Sequence, residues 1–251
     1  MKQLEWNNRF FITGKPRTGK SWLRDYIESK YRINNKRRYF VAIDNNISNV
    51  QHLKNKGYHI EIYDRHKAKK DYDWIEFIQY HEKVAFVLSG CLQDEIENFV
   101  NNICYALEML GDFLLMIDES WLFLKRGKNE PDEMNRVLRS SPKTGGDVLV
   151  ISHRVVDLNP ELISSFNTFI SFQVTEPNSI KMIDHYFDRF NGYKEKLIDS
   201  DLSKKYYNKL KKLYKNNPSP DKLLKKLPAR SFLYSDLDNG IQEISTTDYL
   251  S

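Results

Sequence analysis

A chain of 251 residues with 39 Lys and Arg against 34 Asp and Glu has room for one large α/β domain, and its net charge of +5 is too mild to establish a nucleic-acid partner unless the excess is clustered. Its two cysteines, Cys91 and Cys104, have neither metal-ligand spacing nor the numbers for a disulfide framework, which argues against structural zinc and fits a reducing, cytoplasmic setting. The first ten residues lack an apolar leader and no apolar run approaches the ~20 residues that cross a bilayer, so a soluble protein is expected.

The first strand-like run is Arg9-Phe10-Phe11-Ile12-Thr13, and it breaks into Gly14-Lys15-Pro16-Arg17-Thr18-Gly19-Lys20-Ser21. This octapeptide fits G-x-x-x-x-G-K-[ST], the phosphate-binding loop. In that loop backbone N–H groups cradle the phosphates, the lysine reaches the β- and γ-phosphates, and the hydroxyl binds Mg²⁺. Ser21 to Ile27 carries apolar residues at helical spacing, so the loop falls between strand and helix as anion binding requires. A nucleoside triphosphate and Mg²⁺ are the expected ligands, with Lys20 and Ser21 in the leading roles.

Downstream, a basic patch at Lys36-Arg37-Arg38 precedes the apolar run Tyr39 to Asp44, read as a buried strand. Ile60 to Tyr63 is a weaker segment, placed at an edge, and Val84 to Leu88 a stronger one. Glu95 to Leu110 repeats apolar residues every three or four positions and predicts an amphipathic helix. Next comes Phe113-Leu114-Leu115-Met116-Ile117-Asp118-Glu119, an apolar run closed by two acids, as a parallel strand buried on both faces would read. Ligands in open α/β sheets bind outside the carboxyl ends of strands. Asp118 is therefore expected to hold Mg²⁺ and Glu119 to polarise an attacking water, which favours hydrolysis over transfer to a substrate hydroxyl.

Val148 to Ile151 is a further core strand ending in Ser152, His153 and Arg154. Ser152 and His153 can hydrogen-bond the attacking water or the γ-phosphate, while Arg154 can read phosphate or pair with an acid. Thr168 to Gln173 supplies another core strand, and Phe232-Leu233-Tyr234 a candidate edge strand closed by the Asp238-Asn239-Gly240 turn. Between them, residues 189–230 are basic, with an amphipathic helix over 202–215 whose stripe is Leu202, Tyr206, Leu210 and Leu213. Two readings stand for its lysines: a solvated face, or a surface that neutralises DNA phosphates without reading sequence. The tyrosines read as packing.

Taken with both motifs, the segment Val150 to Arg154, then Leu158-Asn159-Pro160-Glu161-Leu162, then Phe166 to Phe172 and Glu176-Pro177-Asn178 resembles the FtsK/HerA-type P-loop ATPases. Within them it is similar to the genome-packaging ATPases of tailless viruses. The resemblance covers roughly residues 8–190 and the terminal strand. Two departures are visible: His153 stands where the family's sensor is usually Gln or Asn, and Pro16 and Arg17 stand where its loop usually has small residues.

The resemblance implies a RecA-like P-loop NTPase of the additional-strand, catalytic-glutamate type: a three-layer α/β/α fold with a mainly parallel sheet and a basic helical insertion near the C-terminus. A single domain over 1–251 is expected, with core 8–190, terminal strand 230–245 and insertion 190–229. It also implies a homo-oligomeric ring, such as a hexamer or pentamer, in which a neighbouring subunit inserts an arginine at the γ-phosphate. Arg139 is the favoured finger, Arg136 second, and Lys143 lies in the same segment. Double-stranded DNA, a viral capsid or membrane-vertex component, and a place in the host cytoplasm or at the virion vertex follow from the same likeness. Two rivals stand beside it: a zonula occludens toxin-like phage assembly ATPase, and a P-loop kinase or nucleotide switch without DNA.

Overall fold

Seven apolar runs of the sequence form parallel strands, and the computed structural model describes them within residues 8–34, 36–120, 132–188, 204–216, 219–238 and 241–247. In chain order the elements are β1 (Arg9–Thr13), α1 (Lys20–Ile33), β2 (Tyr39–Asp44), α2 (Val50–Asn55), β3 (His59–Asp64), α3 (Trp74–His81), β4 (Lys83–Ser89), α4 (Gln93–Leu110) and β5 (Phe113–Ile117). There follow α5 (Asp132–Thr144), β6 (Asp147–Ser152), α6 (Pro160–Ser164), β7 (Thr168–Ser171), α7 (Pro177–Asp188), α8 (Lys204–Asn216), α9 (Pro220–Lys226), β8 (Ser231–Asp236) and β9 (Ile241–Thr246). They build one sheet of order β3-β4-β2-β5-β6-β1-β7-β8-β9. Strands β1 to β7 run parallel, whereas β8 pairs antiparallel with both β7 and β9.

Alternation along the central strands divides the core into two layers. Phe11, Val41, Ile43, Phe86, Leu115, Ile117 and Val150 pack with α3, α4, α5 and α7. Phe10, Ile12, Phe40, Leu114, Met116 and Ile151 face the opposite way, against Leu23, Ile27 and Tyr31 of α1 and Leu53 of α2. A parallel sheet needs helical crossovers that cover both faces, and this is why its strands read as continuous apolar runs. The expected three-layer α/β/α arrangement with a mainly parallel sheet is the one found.

Two features differ from the expectation. Phe232–Tyr234 lies inside the sheet, and the edge is β9, whose sequence IQEIST offers only two apolar residues to signal a strand. Helix α3, for which the sequence reading names no element, begins at Trp74, where the Asp73 side chain accepts a bond from the Glu76 N–H at 2.9 Å and so caps it. Ile60–Tyr63 does lie at an edge, in β3. The basic helix is described from Lys204, with Lys209, Lys211, Lys212 and Lys215 exposed and Leu213 packed on the core. Leu202 and the Asn239-Gly240 part of the expected turn lie outside the described residues.

One polar anchor is buried at the amino ends of the central strands. Arg37 Nε meets Asp147 Oδ2 at 2.5 Å, and the same carboxylate accepts the Asn8 backbone N–H. Asp147 is fully buried, and its burial pushes the carboxyl above its ordinary range despite the opposing guanidinium.

Candidate nucleotide and catalytic site

Because β1, β5, β6 and β7 are parallel, their carboxyl ends share one edge of the sheet. The loop Gly14–Ser21 leaves β1 there and enters α1. Gly14 has φ +141°, and a Cβ on it would lie 2.6 Å from the Phe172 Cβ, so only glycine lets the loop pass β7. Gly19 has φ +114° and closes the loop against the Phe172 ring and Thr247. The loop is tied down by Lys15 N–H donating to Gln173 O at 2.9 Å and by the Thr18 hydroxyl donating to Lys15 O at 2.7 Å. Lys15, Pro16 and Arg17 are exposed at its tip, and Arg17 has φ +61°.

Lys20 Nζ donates to Gly14 O at 2.8 Å and Lys15 O at 2.7 Å, folded over the cradle in which phosphates are expected. Burial lowers its pKa, while Glu119 and Asp118 oppose that shift by attraction. The ammonium is thus a partly desolvated cation between the loop and two carboxylates, suited to an anionic ligand.

Asp118 and Glu119 follow β5 directly. The Asp118 N–H donates to Ile43 O at 3.0 Å, and the Glu119 N–H donates to Asp118 Oδ1 at 2.9 Å. Glu119 has φ +54°, the left-handed region that a non-glycine residue occupies at a cost and that clusters at functional sites. On the neighbouring strand end, His153 Nδ1 is 2.6 Å from Glu119 Oε2. The structure therefore brings the expected water-polarising acid and the expected sensor together. Ser152 is buried and its Oγ accepts the Arg154 N–H at 3.2 Å, while Arg154 Nε pairs with Asp157 at 2.5 Å.

Arg24 is the group that sequence reasoning missed. It is buried on the first turns of α1, and its guanidinium sits 3.2 Å from Asp118 Oδ2, 3.1 Å from Asp25 and 3.9 Å from Asp44. Even so, Asp118 has its pKa raised, by burial first, with Arg24 pulling the other way and Asp44 and Glu119 adding repulsion. Arg24 lies three residues after Ser21, so an i, i+3 pair on the loop helix was its sole signal. Ser21 and Asp118 together offer hard oxygen donors, one hydroxyl and one carboxylate. That set fits Mg²⁺, which takes one or two protein oxygens and completes its shell with phosphates and water.

The arginines expected to act between subunits lie on α5. Arg136 is engaged within its own chain, by Glu108 and by Glu133 at 3.0 Å. Arg139, one turn on, is exposed, as is Lys143.

No protein-family model matches the chain, and no curated protein does. Solved structures do match. The genome packaging NTPase B204 from Sulfolobus turreted icosahedral virus 2, in complex with sulfate, superposes with TM-score 0.64 at 16% identity over 97% of this chain and 98% of that one. The DNA-packaging ATPase B204 from Sulfolobus Turreted Icosahedral Virus gives 0.61 at 18% identity, again over 97% and 98%. VirB4 of Thermoanaerobacter pseudethanolicus gives 0.60 at 11% identity, over 99% of this chain and 93% of that one. At these identities the likeness is one of fold, and the fold is that of the P-loop ATPases resembled at the level of sequence motifs.

Proposed function

We propose that this chain hydrolyses ATP and uses the energy to move double-stranded DNA, most simply as the packaging motor of a virus, working as a homo-oligomeric ring. The observation that carries the reading is the convergence, on three adjacent strand ends, of the phosphate loop after β1, His153 after β6 and Asp118-Glu119 after β5. The acid beside the metal-type carboxylate supports water as the nucleophile, and so supports hydrolysis over phosphate transfer to a small molecule. B204 was solved with AMP, ATP-gammaS and AMPPCP, which supports nucleotide binding on the shared fold.

In this reading Gly14 to Gly19 and Lys20 hold the phosphates, and Ser21 and Asp118 hold Mg²⁺. A bound Mg²⁺ would neutralise charge on the β- and γ-phosphates. Arg24 positions the Asp118 carboxylate from behind. Glu119 orients water, and His153 links that carboxylate to the state of the γ-phosphate. Arg139 of a neighbouring subunit completes the positive charge around the transferring group. The exposed lysines of α8 contribute sequence-independent phosphate contacts to DNA. Steady-state hydrolysis of ATP tests the chemistry: Lys20→Ala is expected to lose binding, and Glu119→Gln to keep binding and lose turnover. Full turnover by Glu119→Gln would remove the hydrolytic assignment.

A further inference from the structure

The sheet order gives the phosphate loop two unlike sides. Toward β6 and β5 lie His153, Glu119 and Asp118; toward β7, β8 and β9 lie none of these groups. Because β8 and β9 are antiparallel to their neighbours as paired, the start of β8 and the end of β9 meet the same sheet edge as the loop. There a recess of about 590 Å³ opens beside Gly19 and Lys20, walled by Arg17, Ser21, Trp22, Arg230 and Thr247.

Its aromatic wall is held in place. The Trp22 indole, 40% exposed, stacks on Tyr26 with ring centroids 5.6 Å apart and planes 10° apart, and the Lys30 ammonium sits 5.0 Å from the Tyr26 centroid. These residues form a column along α1 at intervals of four, which orients the indole before any ligand arrives. The opposite wall is also tied down. The Arg230 N–H donates to Thr18 O at 3.1 Å, and the Arg230 carbonyl accepts the Thr247 N–H at 2.7 Å and the Thr246 hydroxyl at 3.0 Å. Arg230 holds φ +65° in the turn that leads into β8, at the point where the chain touches the phosphate loop.

A triphosphate lying in the loop with its γ end toward Asp118 and Glu119 must carry its nucleoside to the other side, into this recess. Resting on the nucleotide-site reading above, we propose that the recess is the nucleobase subsite, that Trp22 is its stacking platform, and that it selects purine over pyrimidine nucleotides. A purine offers the larger π-face to an exposed indole, and since every base has a π-face the preference comes from stacking strength alone and is modest.

Calorimetric binding of ATP, GTP, CTP and inorganic tripolyphosphate to the full chain and to its Trp22→Ala, Trp22→Phe and Lys20→Ala variants tests this. The expected result is tighter binding of ATP and GTP than CTP, a loss of roughly 5- to 100-fold in ATP affinity for Trp22→Ala, near-normal affinity for Trp22→Phe, and unchanged tripolyphosphate affinity in both. Equal losses for ATP and tripolyphosphate, or no loss for ATP, would overturn the stacking role while Lys20→Ala still reports a working phosphate site. Failure of the unaltered chain to bind ATP or tripolyphosphate would instead remove the nucleotide-site reading, and the base subsite with it.

Discussion

His153 Nδ1 stands 2.6 Å from Glu119 Oε2, joining the ends of two adjacent strands across the face that the phosphate loop opens onto. A carboxylate held in this way has a set direction, and direction matters more than basicity for a group that orients water. His153→Ala is expected to lower kcat by about 10- to 100-fold with nucleotide affinity within a few-fold, the partial loss that belongs to a positioning group. His153→Asn, which restores a donor, should recover part of the rate. Parallel kcat and Kd measurements check this, and a fall in affinity with kcat unchanged would contradict it.

Under the proposed function, Asp118 serves turnover at a cost in stability. Its folded-state pKa is raised, mainly by burial, so the folded chain holds that proton more readily than the unfolded chain. The sign follows: stability falls as pH rises from the ordinary carboxylate range through the folded-state value, and the cost is complete above it. Asp118→Asn should therefore raise Tm at neutral pH in nucleotide-free protein, with the gain shrinking as pH falls toward 4, roughly the ordinary aspartate value. The same variant should lose Mg²⁺-dependent turnover. Tm against pH for the two proteins is the check.

Removal of Arg37 should be costly far from the site. Its guanidinium is the charge partner of the fully buried Asp147, and deleting one member of a buried pair leaves the other uncompensated. Arg37→Ala is expected to destabilise the chain by about 3–5 kcal/mol. Adding Asp147→Asn should return part of that loss. Denaturant titrations of the two variants and the double variant measure the coupling.

Gly14→Ala probes the loop's passage over β7. The new Cβ would meet Phe172 Cβ at 2.6 Å from a backbone with φ +141°, so loop and strand end must move apart. A loss of about 1–3 kcal/mol in stability is expected from the backbone alone, together with weakened ATP binding. Gly57→Ala offers a comparison: it also has positive φ, but nothing lies within 4 Å of the added Cβ.

The features legible in the sequence are those whose chemistry is local. Eight consecutive residues define the phosphate loop, and two acids after an apolar run mark the end of β5. The buried strands announced themselves as apolar runs because both of their faces are covered. What escaped was set by contacts distant in sequence. Arg24 looks like an ordinary helix surface arginine until Asp118 and Asp44 are brought to it by the sheet. The motif named Gly14, but the reason it must be glycine lies in Phe172, and the recess beside Trp22 exists because Arg230 and Thr247 flank the C-terminal hairpin. Strand β9 hid because Ser245 and Thr246, buried beside Ile244, are small polar residues that form no apolar run.

Subunit communication can be read by complementation. If Arg139 serves a neighbour's site, mixing Arg139→Ala with Lys20→Ala chains should restore part of the ATPase activity, because the mixed ring contains sites with an intact loop facing an intact arginine. Neither variant alone should do so. Absence of recovery in mixtures that demonstrably form rings would assign the finger elsewhere.

The most direct test of the motor reading is the ATPase rate of the assembled protein with and without double-stranded DNA at low salt. Stimulation by DNA that fades steeply as salt rises is expected, since phosphate contacts release counterions. A rate indifferent to DNA at every salt concentration, in protein that hydrolyses ATP, would contradict it.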